Sequence, residues 1–323
     1  MTSGGAAATA RRDILTTLHF PQRNAWAGRA RMIDRSSLSP PGVLRRVLAA
    51  ARPDDVVVLD GGVGRREGYV DRLAAGLLGH RSDPPRIVVT DSTWSPGPGR
   101  RAALRLMDTP RTTYCVLSSA ELAQFPARWG VEASRVAFTP FYWTLPRPEA
   151  DVPRGTGVFA GGDSLRDHEV LLRAAARLDA EVTVATHHRP RTTVPDNVTL
   201  GPVTPQRFLE LMRQAEVVAV PLPMGLVRSA GQQTYLNAMV LGKLVVVSDV
   251  PGVRDHITAG VTGLIVPPGD AEALAETLRW ATDPANRQAC DRMRRQAQEV
   301  ATEQFSPDRY VQHLLDVVEA LPT

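Results

Sequence analysis

Short runs of β-branched residues alternate with amphipathic stretches along most of the 323-residue chain. This alternation predicts an α/β fold with parallel sheets, because two parallel neighbouring strands need a helical crossover between them. In the first half, the predicted strands are Asp13–Leu18, Asp55–Leu59, Arg86–Thr90, Thr113–Leu117 and Arg135–Phe138, and the predicted helices are 41–51, 67–79, 99–108 and 119–129.

The second half repeats the pattern more regularly and ends in helices. Pro307 fits the first turn of the last helix, where a missing N–H costs nothing. The predicted strands are Gly157–Ala160, Glu181–Ala185, Val198–Leu200, Val217–Val220, Leu244–Val247 and Gly263–Val266, and the predicted helices are 165–178, 205–214, 231–241, 253–259 and 271–282, followed by two helices within 284–321 that are broken at Ser306-Pro307.

A proline-rich stretch, Leu145–Pro153, separates the two halves and is typical of a linker because it is polar and aperiodic. The length also predicts two domains, since a domain averages roughly 150 residues. We place them at residues 1–146 and 154–303. Each is predicted to be a doubly wound, Rossmann-like domain, and the two should face a cleft. Ligands of such folds bind beyond the carboxyl ends of the strands.

The charge is distributed unevenly between the halves. Residues 1–150 hold 21 of the 38 basic and 13 of the 34 acidic residues, whereas residues 151–323 hold 17 and 21. A basic first half beside an acidic second half indicates different partners for the two. Nucleic acid is disfavoured, because aromatic residues make up only 5% of the chain and do not alternate with the arginines.

The sequence gives no sign of a membrane span, a signal peptide or a metal centre. No apolar run reaches the roughly 18 residues that a transmembrane helix needs, and the N-terminus lacks the apolar core of a signal peptide. Cys115 and Cys290 form no CxxC pair, so neither zinc nor a disulfide framework is indicated. The expected location is the cytoplasm.

A glycine pair ends the first predicted strand of the second half. Gly161 and Gly162 carry no side chains, so a ligand or another backbone can come close. Asp163 or Ser164 is predicted to cap a helix that carries Arg166 in its first turn. Free N–H groups at a helix start, with a guanidinium beside them, favour an anion. A plain strand-to-helix turn with a surface arginine is the alternative.

A second segment runs from a buried strand through a loop rich in glycine and proline into a helix. The helix start at Gly231-Gln232 offers N–H groups to an anion, and Thr234 can add a hydroxyl. Gln233 and Asn237 lie four residues apart on one helical face, where both could address a ligand. Two helix starts in one domain could hold two phosphates together.

Polar residues also follow predicted strands of the first half. Asp91 ends a strand at the predicted cleft edge, where a carboxylate could orient or deprotonate an acceptor hydroxyl. An aspartate that caps a helix or forms a turn is equally consistent with the pattern. His19, after the first strand, is a comparable candidate.

Four arginines, at positions 23, 29, 31 and 35, lie in a predicted long loop after the first strand. They could contact an acidic acceptor or anionic lipid head groups, which predicts peripheral contact with a membrane. A solvated loop is the alternative.

From about residue 155 to 282, the chain resembles the nucleotide-sugar-binding domain of GT-B glycosyltransferases, especially the retaining family 4. The resemblance implies a donor site in the second domain, an acceptor site in the first, and a last helix, 304–323, that crosses back to the first domain. The matching elements are the glycine pair followed by a basic residue, Leu236-Asn-Ala-Met with Gly242-Lys243, Ser248-Asp-Val-Pro-Gly252, and Gly260-Val-Thr-Gly-Leu-Ile-Val-Pro-Pro-Gly-Asp270.

The resemblance also implies roles for single residues. Arg166 would contact the donor diphosphate and act in catalysis, with Gly161 and Gly162 opening space for that group. The helix start from Gly231 to Thr234 would bind phosphate or sugar hydroxyls.

The family's signature has two glutamates separated by seven residues, the first facing the sugar and the second the ribose. Ser229 and Asn237 stand at these positions. Asn237 can still hydrogen-bond ribose hydroxyls, whereas Ser229 is shorter and uncharged. A second function class therefore stays open, namely a non-catalytic GT-B protein that binds a nucleotide sugar or a partner protein.

The predicted function is a glycosyltransferase that moves a sugar from a nucleotide-diphosphate donor to its acceptor with retention of configuration. The resemblance implies no protein nucleophile, because the leaving diphosphate can take the acceptor proton while Arg166 and the helix starts stabilise charge. No metal or other cofactor is expected. The basic first domain predicts an acidic, phosphorylated or lipid-linked acceptor, in the cytoplasm or at the inner membrane face. A nucleotide-sugar epimerase is disfavoured, since no catalytic carboxylate pair or histidine supports it.

Overall fold

The computed structural model describes residues 13–20, 24–62, 66–145 and 153–322, except the side chains of residues 24, 66 and 67. The chain divides into two compact units. Unit 1 consists of Met1–Val116, Gln124–Ala137 and Val311–Thr323, and unit 2 consists of Leu117–Ala123 and Phe138–Tyr310. The predicted boundaries at residues 146 and 154 fall next to or within a stretch outside the described residues, and they stay predictions.

The sheet of unit 1 has six strands in the order β2-β1-β3-β4-β5-β6. The pairs from β2 through β5 are parallel, as the alternating pattern predicts. The central strands are buried on both faces, which is why their sequences are continuous apolar runs. The strands are β1 Ile14–Thr16, β2 Ala30–Met32, β3 Val56–Asp60, β4 Arg86–Thr90, β5 Thr112–Val116 and β6 Val136–Phe138.

The helices of the first half lie close to their predicted positions. The sequence pattern missed α1 and the strand β2, because elements of three or four residues are too short to show a period. The helices are α1 Asn24–Ala27, α2 Pro40–Ala50, α3 Arg66–Gly79, α4 Pro98–Met107 and α5 Ser119–Trp129.

The sheet of unit 2 also has six strands, in the order β12-β11-β10-β7-β8-β9, and all its neighbouring pairs are parallel. Valine and alanine fill its centre, so that both faces can be covered by helices. The strands are β7 Val158–Gly161, β8 Val182–Ala185, β9 Val198–Gly201, β10 Val217–Val220, β11 Leu244–Ser248 and β12 Leu264–Val266. The predicted α/β fold class with two Rossmann-like parallel sheets is confirmed.

The predicted helix 253–259 is wrong, because the structure has turns there. Local side-chain bonds compete with helix formation: the His256 ring bonds the Gly252 carbonyl, and Thr262 Oγ1 accepts from the Thr258 N–H at 2.9 Å. The helices of the second half are α6 His168–Ala175, α7 Pro205–Gln214, α8 Gln232–Val240, α9 Ala271–Thr282, α10 Arg287–Gln304 and α11 Pro307–Ala320.

The end of the chain contributes to unit 1. Residues from Val311 onward belong to that unit, and the Glu319 carboxylate accepts a hydrogen bond from the Arg29 guanidinium at 2.6 Å. Ser306-Pro307 breaks the two last helices at the predicted position.

Candidate functional site

The two glycines at the end of β7 make room for other side chains of unit 2. A Cβ on Gly161 would lie 2.4 Å from Cε2 of Phe208, so the ring occupies the space of the missing side chain. Gly162 has a φ of +102°, which favours glycine, and the Arg166 guanidinium lies 3.4 Å from its Cβ position. Packing therefore explains why both positions are glycine, and the backbone of Gly162 lies next to Arg166.

Arg166 precedes α6 instead of lying in its first turn. The helix begins at His168, and its N-cap is Asp167, whose carboxylate accepts from the Val170 N–H at 3.0 Å. The predicted caps are wrong because Asp163 is bound elsewhere: it accepts from Thr186 Oγ1 at 2.6 Å and bonds His187 beyond β8. The start of α6 thus already holds a carboxylate.

The guanidinium of Arg166 is held by neutral oxygen atoms. It donates to the carbonyls of Gly161 and Ser164 at 3.2 and 2.8 Å, and Nη2 donates to Thr234 Oγ1 at 2.9 Å. Thr234 lies in the first turn of α8, so the structure brings the two predicted donor-binding segments together.

Burial lowers the pKa of Arg166 to about 10, and the charge of Asp163 opposes that shift. Burial works against ionisation of Asp163 as well, but hydrogen bonds from Thr186 and His187 lower its pKa to about 2. Arg166 therefore stays cationic at neutral pH, and the ion pairs of the described residues do not include it. A partly buried cation bonded to neutral groups gains from an anion, because charge-assisted bonds are stronger than neutral ones.

The start of α8 is shaped by Gly231. Its φ is +76°, and a Cβ there would lie 2.9 Å from Val220 Cγ1. No side chain caps this helix. The first N–H groups of α8 are those that a helix start can offer to an anion.

Three polar side chains of α8 contact neighbouring segments of unit 2. Gln232 Nε2 donates to the Leu117 carbonyl at 2.8 Å, and Gln233 Nε2 donates to Thr144 Oγ1 at 2.9 Å. Asn237 accepts from the Thr144 N–H at 2.8 Å and donates to Thr144 Oγ1 at 3.2 Å. Asn237 therefore stabilises the Thr144 segment, which precedes the predicted linker.

Ser229 contacts a carboxylate that sequence reasoning missed. Its Oγ donates to Glu121 Oε2 at 2.9 Å, and both side chains are buried, with 3% and 4% of their surface exposed. Ser118 is the N-cap of α5: its hydroxyl accepts from the Glu121 N–H and donates to Glu121 Oε2 at 2.7 Å. The Ser-x-x-Glu pattern of a capping box was the available signal. The carboxylate beside position 229 thus comes from another part of the chain.

This carboxylate should make stability depend on pH. Burial raises the pKa of Glu121, although bonds from Ser118 and Ser229 oppose the shift. A raised folded-state pKa means that the folded chain binds the proton more tightly, so stability falls as pH rises from the unfolded pKa through the folded one. The Glu121→Gln variant lacks this contribution.

We therefore compare the free energy of unfolding of the unaltered protein with that of Glu121→Gln. The difference should shift against the unaltered protein between about pH 4 and pH 8, because this interval lies above the ordinary glutamate pKa. Urea unfolding of both proteins across this range measures the difference. A difference between the two proteins that stays constant with pH would contradict the inference that folding raises the pKa of Glu121.

Asp91 lies at the carboxyl end of β4 in unit 1. It is half-buried, and its φ of +48° is in the left-handed region, which is uncommon for a residue with a side chain. Such conformations concentrate at functional sites. His19, the other candidate of the first half, is exposed in the loop after β1.

The arginines of the predicted long loop, which in the structure contains α1 and β2, are paired with carboxylates. Arg29 pairs with Glu319 and Arg31 with Asp55, each at 2.6 Å, and Arg35 pairs with Asp71. Arg23 lies outside the described residues. These ion pairs compensate the charges of Arg29, Arg31 and Arg35 within unit 1, and contact of these arginines with an anionic partner stays a prediction.

Within the described part of the chain, no group of three or more His, Cys, Asp and Glu side chains could hold a metal ion. His187 and His188 bond Asp163 and Glu169, each at 2.9 Å. Among the described helices, none combines the length and apolar character that crossing a membrane requires.

Comparisons with known proteins support the class that the fold suggests. Residues 157–283 match the family model described as Glycosyl transferases group 1. None of the curated proteins matches the chain significantly.

Several solved structures share the fold. A glycosyltransferase from Rickettsia africae ESF-5 is 13% identical with a TM-score of 0.63, and the match covers 95% of this chain and 89% of that one. Anabaena Alr3699/HepE in complex with UDP is 15% identical with a TM-score of 0.67, covering 96% and 100%. Sucrose-phosphate synthase from Thermosynechococcus elongatus is 18% identical with a TM-score of 0.62, covering 89% and 79%.

The chain has the two-domain fold of GT-B glycosyltransferase structures, which confirms the predicted fold class. The region that matches the Glycosyl transferases group 1 model holds Arg166, Gly231 and Thr234. Both findings support the prediction of a glycosyltransferase.

Proposed function

We propose that this protein transfers a sugar from a nucleotide-diphosphate donor to an acceptor hydroxyl with retention of configuration. The observation that carries the proposal is the Arg166 guanidinium, which is partly buried, cationic and bonded to neutral oxygens beside the uncapped start of α8. The site lies within the group 1 domain match, and the similar Anabaena structures are complexes with UDP, UDP and glucose, or UDP-glucose.

The proposed reaction breaks the bond between the sugar's anomeric carbon and the diphosphate oxygen. The acceptor oxygen bonds that carbon on the same face, and its proton passes to the leaving diphosphate. Negative charge builds up on the diphosphate in the transition state. A fixed guanidinium and helix N–H groups stabilise that charge without having to reorganise, which is where we place most of the rate acceleration. This route needs neither a protein nucleophile nor a metal.

For the acceptor, we propose an acidic, phosphorylated or lipid-linked molecule in the cytoplasm or at the inner membrane face. The support is the excess of basic residues in the first half of the chain. Asp91 is proposed to orient the acceptor hydroxyl, which agrees with its strained position at a strand end.

The proposal is tested with a panel of UDP, GDP, ADP and dTDP sugars in thermal-shift and turnover measurements. One donor should raise the melting temperature, since a ligand at 100 times its Kd stabilises by about 2.7 kcal/mol. The same donor should be consumed when an acceptor is present. A panel in which no nucleotide sugar stabilises the protein would overturn the proposal.

A non-catalytic nucleotide-sugar or partner-binding protein is the second candidate. It is favoured by the hydrogen bonds that tie Ser229 to Glu121 and Asn237 to Thr144, at the positions of the family's two glutamates. Tight binding of a donor without hydrolysis or transfer would select this candidate.

The Asp91→Asn substitution tests the acceptor role. Asparagine tolerates the left-handed backbone as aspartate does, so the fold should persist. We expect transfer to slow by about 10- to 150-fold, the value of a hydrogen bond to a charged group, while donor affinity stays unchanged. Initial rates and donor titrations measure the two quantities. Equal rates for both proteins would remove Asp91 from the site.

A further inference from the structure

Helices α3 and α4 of unit 1 carry exposed apolar side chains. Tyr69, Leu73 and Leu77 follow one another at intervals of four residues along α3, and 64%, 46% and 48% of their surface is exposed. Leu106 on α4 is 77% exposed. These four residues are called the apolar stripe below.

The two helices are in direct contact beside the stripe. Cγ of Met107 on α4 lies 2.9 Å from the Cβ position of Gly76 on α3. Leu77 and Leu106 are the immediate chain neighbours of these two residues. A small residue at 76 thus lets α4 pack closely beside the stripe.

The surface around the stripe is strongly basic. Arg100, Arg101 and Arg105 on α4 are exposed, and the ion pairs of the described residues include none of them. Arg72 on α3 lies 4.6 Å from the ring centroid of Tyr69. Burial lowers the pKa of Arg72, the charges of Tyr69, Asp60 and Asp71 oppose that shift, and the charge of Arg100 adds to it.

Carboxylates do not balance these charges on the described part of the two helices. Helix α4 contains no acidic residue. The acidic residue with a described side chain in α3 is Asp71, which is fully buried and paired with Arg35. The exposed face is therefore apolar and cationic together.

We propose that the face formed by α3 and α4 docks on an anionic lipid bilayer, with the apolar stripe in the interface and Arg100, Arg101 and Arg105 at the head groups. Tyrosine and leucine flanked by arginine form the pattern that lies in a membrane interface. A second copy of the face is a poor occupant, because it would bring the same unbalanced arginines together. The inference deepens the acceptor class of the proposed function and rests on it for its biological role.

The test is flotation of the full-length chain with vesicles of phosphatidylcholine alone and of phosphatidylcholine with phosphatidylglycerol. We expect binding to the anionic vesicles, weakened as salt rises from about 0.1 to 1 M, since screening shortens to about 3 Å. Arg101→Glu/Arg105→Glu should bind about 25-fold more weakly or worse, because each arginine near an anionic surface contributes a factor of about five.

Matched controls lie on unit 2. Arg292→Glu/Arg295→Glu changes the charge equally on an exposed face of α10 and should leave flotation unchanged. Leu106→Ser should reduce binding to the anionic vesicles, whereas Val261→Ser, which replaces another exposed apolar residue, should not. Circular dichroism of each variant checks that it is folded.

The proposal is overturned if the unaltered protein does not bind anionic vesicles, or if the two double-arginine variants lose vesicle binding equally. It is also overturned if Leu106→Ser dissociates a dimer instead of weakening vesicle binding. Flotation needs no nucleotide sugar. If the unaltered protein transfers sugar but does not bind anionic vesicles, this inference alone is rejected. If it binds these vesicles but transfers no sugar, the proposed function alone is rejected.

Discussion

Replacing Arg166 with alanine should weaken nucleoside diphosphate binding by about 10- to 150-fold, because it removes a charge-assisted contact of about 1.5–3 kcal/mol. Binding of the corresponding nucleoside should hardly change, since it has no phosphate for the guanidinium to contact. Isothermal titration with both ligands, using the base that the donor panel identifies, measures the ratio.

Two variants support this measurement. Arg173→Ala removes an exposed arginine from α6 of the same unit and should leave both affinities unchanged. Arg166→Lys should bind the diphosphate more weakly as pH rises above neutral, because burial that lowers the pKa of the guanidinium to about 10 also lowers that of an ammonium. An equal loss of affinity for nucleoside and diphosphate in Arg166→Ala would exclude the phosphate role.

Replacing Gly231 with alanine should destabilise the protein by about 2–5 kcal/mol. A residue with a Cβ costs about 1–2 kcal/mol in the left-handed conformation, and Gly231 has a φ of +76°. The added carbon would also lie 2.9 Å from Val220 Cγ1, and overpacking of this kind costs about 1–3 kcal/mol. Urea unfolding measures the loss.

Gly260→Ala is the matched control for this substitution. Gly260 has a φ of +74°, and nothing lies within 4 Å of its Cβ position. The Gly260→Ala variant should therefore lose only about 1–2 kcal/mol of stability, the cost of the left-handed conformation, and should keep its nucleotide affinity. Gly231→Ala should also bind the donor more weakly, because the start of α8 must move. Similar losses in both variants would show that the contact with Val220 is unimportant.

The fold was largely predictable from local patterns. Buried parallel strands such as Val217–Val220 are continuous apolar runs, and most of the helices between the strands are long enough to show their period. The predictions of local structure failed where a side chain bonds to residues distant in the sequence instead of to its own segment. Asp163 follows a strand as an N-cap would, but it is bound by Thr186 and His187 after β8, so Asp167 caps the helix.

The candidate site was predictable in its components and only partly in its geometry. Gly161, Gly162 and Arg166 were identified as one segment, and Gly231 and Thr234 as another. The bond from Arg166 to Thr234 joins residues 68 positions apart. No spacing rule could predict it, since β7 and β10, the strands that lead into these segments, are neighbours only in the folded sheet.

The sequence alone determined that this chain forms two parallel-sheet domains, because strand and helix periods are local properties of the side chains. The tertiary structure decided which charged side chains are paired within the protein and which can still bind a ligand. Arg31 and Arg35 are neutralised by Asp55 and Asp71, whereas Arg166 is left with neutral partners. Electrostatic pairing depends on distance in space, and residues far apart in the chain become neighbours only when the sheets assemble.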